Sequence, residues 1–279
     1  MNRCAVLSVV LLASLAMAGR TAAQSIINGG EAPQIGHERV YGQSAIPVYT
    51  YEILETYAHD TADYTEALFF HEGHLYEGTG QYGNSWLKIW DLDTGEVIRQ
   101  HIMDDRYFGE GAVVLDDRLY HLTYISNTGF VYDPLTLEQH LSFRFPRQGW
   151  GMTTDGRSLI MSDGSSAIYF LNPQNFYLER YVTVEDGFGS VGFLNELEYV
   201  DGDIYANVWQ TEFIVRFSAD TGEVTGWIDL TGLNPDPEKL VYPLVLNGIA
   251  YSGEPDTLVV TGKKWPHLWH IKLVTAVND

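Results

Sequence analysis

A hairpin of apolar strand, Asp- or Asn-containing turn and second strand recurs four times along the chain, with a shortened fifth copy near the C-terminal end. A second kind of Gly/Asp turn lies between the copies. No window carries the sustained 3.6-residue apolar period of an amphipathic helix. Four-stranded units repeated at roughly 40–50 residues predict an all-β fold, a five-bladed β-propeller. A parallel β-helix would use a shorter repeat, and a sandwich would not repeat its turns so regularly.

Each element has its own justification. Gln24–Gln43 is polar and punctuated by Gly and Pro, an irregular lead-in. Pro47–His59 is rich in β-branched and aromatic residues and reads as a strand. It is expected to supply the outer strand of the last blade, which removes free sheet edges. The four hairpins are Leu87–Gln100, Gly129–Phe145, Ala167–Val184 and Phe213–Leu230, and the shortened copy is Leu268–Val274. The markers Asp91, Asp133, Asn172 and Ser218 are 42, 39 and 46 residues apart, with Ile271 a further 53 on. Between them lie the turns at Glu72-Gly73, Asp116-Asp117, Asp155-Gly156, Asp201-Gly202 and Glu254–Asp256. Blades need neighbours to bury both sheet faces, so no internal boundary is expected. The domains expected are a signal peptide over 1–23, a lead-in over 24–46 and the propeller over 47–279.

The signal rests on Arg3, the uncharged apolar run Cys4–Ala18 and the small residues at Ala16-Met-Ala18 and Thr21-Ala-Ala23. The run is shorter than the roughly 20 residues a span needs, so cleavage is favoured over a retained anchor. A periplasmic or secreted, monomeric protein with no membrane insertion after cleavage is expected. Cys4 is the only cysteine, so the processed chain has no disulfide, thiolate nucleophile or Cys-based metal site. The net charge of −21 disfavours nucleic acid and anionic membranes and suits a substrate with a cationic amino terminus. There is no His-x-x-x-His motif, phosphate loop or nucleophile elbow. No metal and no cofactor are expected.

The candidate chemistry lies on segments leading into the strand–turn units: Tyr64–Leu68, Glu110-Gly111, Gly149-Trp-Gly151, Asn195-Glu-Leu-Glu198 and Asn247-Gly-Ile249. Their recurrence at similar blade positions predicts one common rim. Glu77, where the apolar pattern of His74–Leu87 gives way to glycines, reads as a strand-end acid on that rim. Taken alone it reads more readily as a turn-stabilising carboxylate.

The stretch Tyr76-Glu-Gly-Thr-Gly-Gln-Tyr-Gly-Asn-Ser-Trp-Leu87 resembles the Glu-Ser-Thr-Gly-Leu-Tyr-Gly motif of the plant-type and bacterial glutaminyl-peptide cyclotransferases. The resemblance continues through Gly109-Glu-Gly111, Leu119–Tyr124, Gly149–Gly156, Ser162–Ser165, Leu194–Tyr199, Tyr205–Trp209, Leu246–Ala250 and Thr261–Pro266. It covers nearly the whole chain from about Tyr51. It implies a five-bladed propeller that converts the N-terminal glutamine of peptides or proteins to pyroglutamate, releasing ammonia.

That reaction needs a neutral α-amine, whose reference pKa is about 7.7–8.0. The attack is intramolecular, so the protein mainly fixes the substrate's conformation. A carboxylate can carry the amine proton to the leaving nitrogen, and a cation or donor must face the developing oxyanion. The resemblance implies Glu77 as the proton carrier. Lys263 is the candidate cationic donor. Trp150, Trp209 and Trp265 are candidates for an apolar wall, and Asn195, Asn207 and Asn247 for hydrogen bonds to the carboxamide or peptide backbone. Glu110, Glu196 and Glu198 are candidates to bind the incoming amine or to hold a neighbouring donor, and Glu66 is a further substrate-binding candidate.

Two places depart from the family pattern. Tyr64-Thr-Glu-Ala-Leu68 stands where the family has Phe-Thr-Gln-Gly-Leu, so Glu66 replaces an amide and Ala67 a glycine. Gly78 stands where the family has serine. These leave room for a second reading, a non-catalytic cell-envelope propeller that holds peptides on the same rim. Asp91-Leu-Asp-Thr-Gly-Glu96 also resembles turns of quinoprotein-type propellers, but such short motifs mainly specify turns.

Overall fold

The structure, a computed structural model, describes residues 35–235 and 243–276. The expected signal segment and the first half of the lead-in lie outside the described residues. The rest of the lead-in is less irregular than its composition suggests. A short helix α1 (His37–Tyr41) buries Val40 in an apolar cluster. Arg39 grips Asp186 through Nε and Nη2 at 2.9 and 2.8 Å and also donates to the Gly189 carbonyl.

The other described residues form strands, turns and loops. β2 (Thr65–His71), β3 (His74–Thr79), β4 (Trp86–Trp90) and β5 (Val97–Ile102) form an antiparallel sheet in that order. β6 (Gly109–Leu115), β7 (Arg118–Thr123), β8 (Thr128–Tyr132) and β9 (Gln139–Arg144) form the next. The third comprises β10 (Met152–Thr154), β11 (Leu159–Met161), β12 (Ala167–Leu171) and β13 (Leu178–Thr183). A two-stranded ribbon, β14 (Glu185–Asp186) and β15 (Gly189–Ser190), follows. Next come β16 (Leu194–Val200), β17 (Asp203–Val208), β18 (Phe213–Ser218) and β19 (Val224–Asp229), then β20 (Leu246–Tyr251), β21 (Thr257–Gly262) and β22 (His267–Thr275). These two groups join through β1 (Val48–Ala58) into one eight-stranded sheet, because β1 pairs parallel with β19 and antiparallel with β22.

The repeat is visible at the level of single hydrogen bonds. Asp91, Asp133, Asn172 and Ser218 each accept, on the backbone carbonyl, the N–H four residues on, and each donates its own N–H five residues on. Their side-chain oxygens also accept N–H groups from within the turn. The fourth residue after each marker has a positive φ: Gly95, Leu137, Phe176 and Gly222. The intervening turns at Glu72-Gly73, Asp116-Asp117 and Asp201-Gly202 have positive φ at both central residues, the two-residue geometry that matches strand twist.

Burial follows strand position. β2, β3, β6 and β7 are almost wholly buried, whereas β5 and β9 are mostly exposed. The first strands of the units touch in a cycle: β2 with β6, β6 with β10, β10 with β16, β16 with β20, and β20 with β2. Separate apolar clusters fill the spaces between successive sheets. One packs Phe69 and Tyr76 on Ala112 and Leu119, and another packs Leu68 and Leu75 on Val259 and Leu268. The architecture is all-β and propeller-like. Among the described residues no helix is long and apolar enough to cross a membrane.

Candidate active site

The first strands carry the chemistry because their pairing is interrupted where they begin. The register shifts between Thr65 and Ala67 in β2, Gly109 and Ala112 in β6, Leu194 and Leu197 in β16, and Leu246 and Ile249 in β20. The residues inside these bulges are Glu66, Glu110-Gly111, Asn195-Glu196 and Asn247-Gly248. A bulge leaves a residue outside the ladder and re-aims its side chain. Gly111 is required for close approach: a Cβ there would lie 2.3 Å from the Met152 amide nitrogen. Gly248 has φ +119, a conformation that L side chains rarely adopt.

These bulges bring Glu66, Lys263 and Glu110 together. Lys263 Nζ donates to both Glu66 carboxylate oxygens at 2.6 and 2.7 Å and lies 4.7 Å from the centre of the Tyr64 ring. Asn247 Nδ2 donates to Glu66 Oε2 at 3.1 Å and to the Thr65 carbonyl at 2.9 Å. Glu110 lies close enough to Glu66 and Lys263 for their charges to act on it. Burial, then repulsion from Glu66, pushes the Glu110 carboxyl well above its ordinary range, and Lys263 only partly offsets this. Burial also raises Glu66, against the pull of Lys263. Phe108 meets Tyr64, Tyr82 and Tyr124 at ring-centre distances of 6.0, 5.5 and 5.8 Å. After burial, the Glu110 charge is the next cause raising the Tyr82 and Tyr124 hydroxyls, the latter to about 12.

Glu77 lies elsewhere, on β3, the second strand of its sheet, and has no exposed surface. Its Oε1 accepts from His59 Nε2 at 2.9 Å and from Thr65 Oγ1 at 2.8 Å. His59 Nδ1 donates to the Trp265 carbonyl at 2.7 Å. Both ring nitrogens thus face acceptors. Burial pulls the His59 pKa down, but the Glu77 charge and hydrogen bond outweigh it and the net shift is upward. Burial pushes Glu77 up, while His59 and Lys88 bring it below its ordinary value. Asp63 pairs with Lys88 and accepts from Trp86 Nε1 at 3.0 Å, yet burial and Glu77 raise it to about 6. His59, Asp63 and Glu77 offer ligand atoms within 4.8 Å of one another. Lys88 already supplies the positive charge there, and the His59–Glu77 pair uses two of the three groups.

This buried group anchors the segment that carries Lys263. His59 holds the Trp265 carbonyl, and Lys264 N donates to the Asp63 carbonyl at 2.7 Å. The expected rim position of Glu77 is not what the structure has: it lies on β3 away from the bulges, with Oε1 held by His59 and Thr65 and Oε2 buried without a hydrogen-bond partner. Glu77→Gln is expected to lower thermal stability, by up to about 3–5 kcal/mol less what His59 recovers on losing its proton. Thermal unfolding against wild type measures this.

Other expected residues divide similarly. Glu196 is structural: its oxygens accept the amides of Leu68 at 3.3 Å and Ile249 at 2.8 Å, tying β2 and β20 to β16. Trp265 is buried in an apolar cluster against Trp269 and does not form a wall. Trp150 and Trp209 do meet, edge to face at 5.7 Å, and the Trp150 carbonyl accepts from Gly111 N next to Glu110. Asn207 Oδ1 accepts from Gly248 N at 2.9 Å, leaving its Nδ2 without a protein partner. Asn195 Oδ1 and Asn247 Oδ1 are likewise buried and unpartnered. Sequence reasoning missed Tyr82, Phe108, Tyr124, His59, Asp63 and Lys88.

Ala67 and Gly78 prove to be one feature. They are directly paired across β2 and β3, and a Cβ on Gly78 would lie 3.2 Å from the Ala67 methyl. The methyl takes space that a side chain at 78 would need. Gly78→Ser is expected to destabilise the protein by about 1–3 kcal/mol through overpacking. Ala67→Gly in the same chain is expected to relieve part of that cost, and a double-mutant cycle of unfolding free energies measures the coupling.

Fold and site together define an all-β, propeller-like protein with an acid–lysine cluster at the bulged starts of its first strands. Residues 15–273 match the family described as glutamine cyclotransferase. A glutaminyl-peptide cyclotransferase from Arabidopsis thaliana is 39% identical over 229 residues, covering 81% of this chain and 72% of the relative. The crystal structure of Myxococcus xanthus glutaminyl cyclase superposes with a TM-score of 0.75 at 30% identity, over 83% of this chain and 100% of that one. The chain belongs to the glutamine cyclotransferase family.

Proposed function

We propose that this protein converts the N-terminal glutamine of peptides or proteins to pyroglutamate, with release of ammonia. The observation that carries the reading is one buried cluster in which Lys263 binds Glu66 beside Glu110, whose carboxyl is pushed well above its ordinary range by burial and the Glu66 charge. Cyclisation needs both: a proton for the departing nitrogen and positive charge near the oxygen that becomes anionic. Glu110, not Glu77, is the proton carrier in this proposal. The neutral α-amine attacks the side-chain carbonyl carbon, Glu110 protonates the amide nitrogen, and ammonia leaves. The proton lost by the α-nitrogen returns to Glu110. An ammonium has three N–H donors, and Glu66 takes two from Lys263, leaving one for the oxyanion.

The unpartnered asparagine atoms suit the substrate. A primary carboxamide offers one acceptor and two donors. Asn207 Nδ2 is a donor, and Asn195 Oδ1 and Asn247 Oδ1 are acceptors. Trp150 and Trp209 form the apolar wall for the methylenes. We read the sheets as five blades, with β1 closing the last one. The apolar leader supports a periplasmic or secreted location, and a monomer is part of the same proposal.

The test is mass spectrometry of a glutamine-initiated peptide incubated with the protein, with an asparagine-initiated peptide as control. Loss of one ammonia from the first only is expected. No loss above the spontaneous background would reject catalysis and leave a peptide-binding propeller.

A further inference from the structure

We propose that Tyr82 and Phe108 form a subsite for the side chain of the substrate's second residue, and that this subsite selects glutamine-initiated peptides in which that residue is aromatic. The inference rests on the cyclisation reading. It starts from a chain of rings. Lys263 Nζ lies 4.7 Å from the centre of the Tyr64 ring. The Phe108 ring meets Tyr64 at 6.0 Å and Tyr82 at 5.5 Å, edge to face in both cases. Tyr64 is buried, whereas Tyr82 at the other end is 44% exposed. The rings therefore run from the lysine of the buried cluster out to solvent. Phe108 stands two residues before Glu110 in the chain, and the Glu110 charge reaches the Tyr82 hydroxyl.

The turn that presents Tyr82 is strained and tightly held. Gln81 has φ +130, a region that L side chains rarely adopt. Its carbonyl accepts from Ser85 Oγ at 2.7 Å and from Asn84 N at 3.0 Å. Ser85 Oγ in turn accepts from Gly109 N at 3.0 Å, and Gly83 N donates to the Asp105 carbonyl at 3.1 Å. These bonds tie the β3–β4 turn to the segment that carries Phe108 and Glu110. Gly80 completes the fit, because a Cβ there would lie 2.2 Å from the Phe108 ring. Backbone strain persists only where the surroundings over-determine it, and it clusters where ligands are held. Here it holds a large aromatic ring half out of water beside the buried cluster.

The reaction assigns the occupant. Cyclisation puts the carboxamide and the α-amine at the acid–lysine cluster, and the methylenes take Trp150 and Trp209 in that reading. What remains is the peptide beyond the glutamine carbonyl. One residue advances the chain by about 3.3–3.6 Å. The second side chain is thus the first group to leave the cluster, and it meets rings that begin 4.7 Å from Lys263. A phenyl ring packs on Phe108 and Tyr82 with a gain beyond its buried area. A glycine offers neither ring a contact.

The experiment compares kcat/KM for the peptides Gln-Phe-Ala and Gln-Gly-Ala with wild type, Tyr82→Ala and Tyr82→Phe, with a thermal melt of each protein. The ratio of the two peptides is the readout, so a general effect on turnover cancels. Wild type is expected to favour Gln-Phe-Ala by about tenfold. Tyr82→Ala is expected to bring the ratio to within about threefold of one, and Tyr82→Phe to keep it. A wild type without the preference, or a folded Tyr82→Ala that retains it, overturns the proposal. Should Tyr82→Ala not fold, Tyr82→Lys places a cation at the same exposed position. It is expected to raise Gln-Glu-Ala relative to Gln-Phe-Ala by about two- to fivefold, and an unchanged ratio is again fatal. Failure of wild type to cyclise any of these peptides rejects the cyclisation reading itself, a result distinct from equal turnover of all of them.

Discussion

Glu110→Gln is expected to lower kcat/KM for a glutamine-initiated peptide by about 10²–10⁴-fold, the usual contribution of a positioned proton donor. The fold is expected to survive. Burial and the Glu66 charge both favour the neutral form of Glu110, and a neutral amide matches that form in size. The glutamine NH₂ cannot give up a proton to a leaving nitrogen. Ammonia release measures the rate, and a thermal melt near that of wild type at neutral pH shows that the loss is chemical.

Lys263→Met is expected to show two losses together. Removing the ammonium takes away the charge facing the oxyanion, worth about 10²–10³-fold in kcat for a single donor. It also strips Glu66 of its two shortest hydrogen bonds and leaves two buried carboxyls without a cation. Removing one partner of a buried ion pair costs about 3–5 kcal/mol. The loss depends on pH. Without Lys263 the folded-state pKa of Glu66 rises further above its unfolded value. Relative stability is then best below the ordinary carboxyl pKa of about 4.3 and declines as pH rises through the raised folded value. Unfolding of the variant and wild type across that range measures the divergence, which is expected to widen toward neutral pH.

The fold was legible because its signals are local. Asp91, Asp133, Asn172 and Ser218 each organise a turn with their own side chain, and a marker that works within five residues leaves a pattern in the sequence. The strand Val48–Ala58 and the segments leading into β2, β6, β16 and β20 were legible for the same reason. What those segments do was less so. Glu66, Glu110 and Lys263 meet only when distant strands come together, Lys263 lying 197 residues from Glu66. Glu77 looked like a rim acid because glycines follow it. Its partners His59 and Lys88 arrive from just past the end of β1 and from β4, and only their arrival turns it into an internal anchor. Ala67 and Gly78 read as two separate departures, because their compensation depends on strand register. Trp265 resembled a binding tryptophan in sequence, and its burial against Trp269 is decided by how β22 packs.

Glu110 and Glu77 are the two glutamates to be told apart as the group that moves the proton. Ammonia release from one glutamine-initiated peptide, measured per folded molecule for wild type, Glu110→Gln and Glu77→Gln, tests this directly. The expected result is turnover by wild type, near-complete loss in Glu110→Gln, and most of the wild-type rate in Glu77→Gln, whose melt is lowered. A folded Glu77→Gln without activity beside an active Glu110→Gln would contradict the site described here.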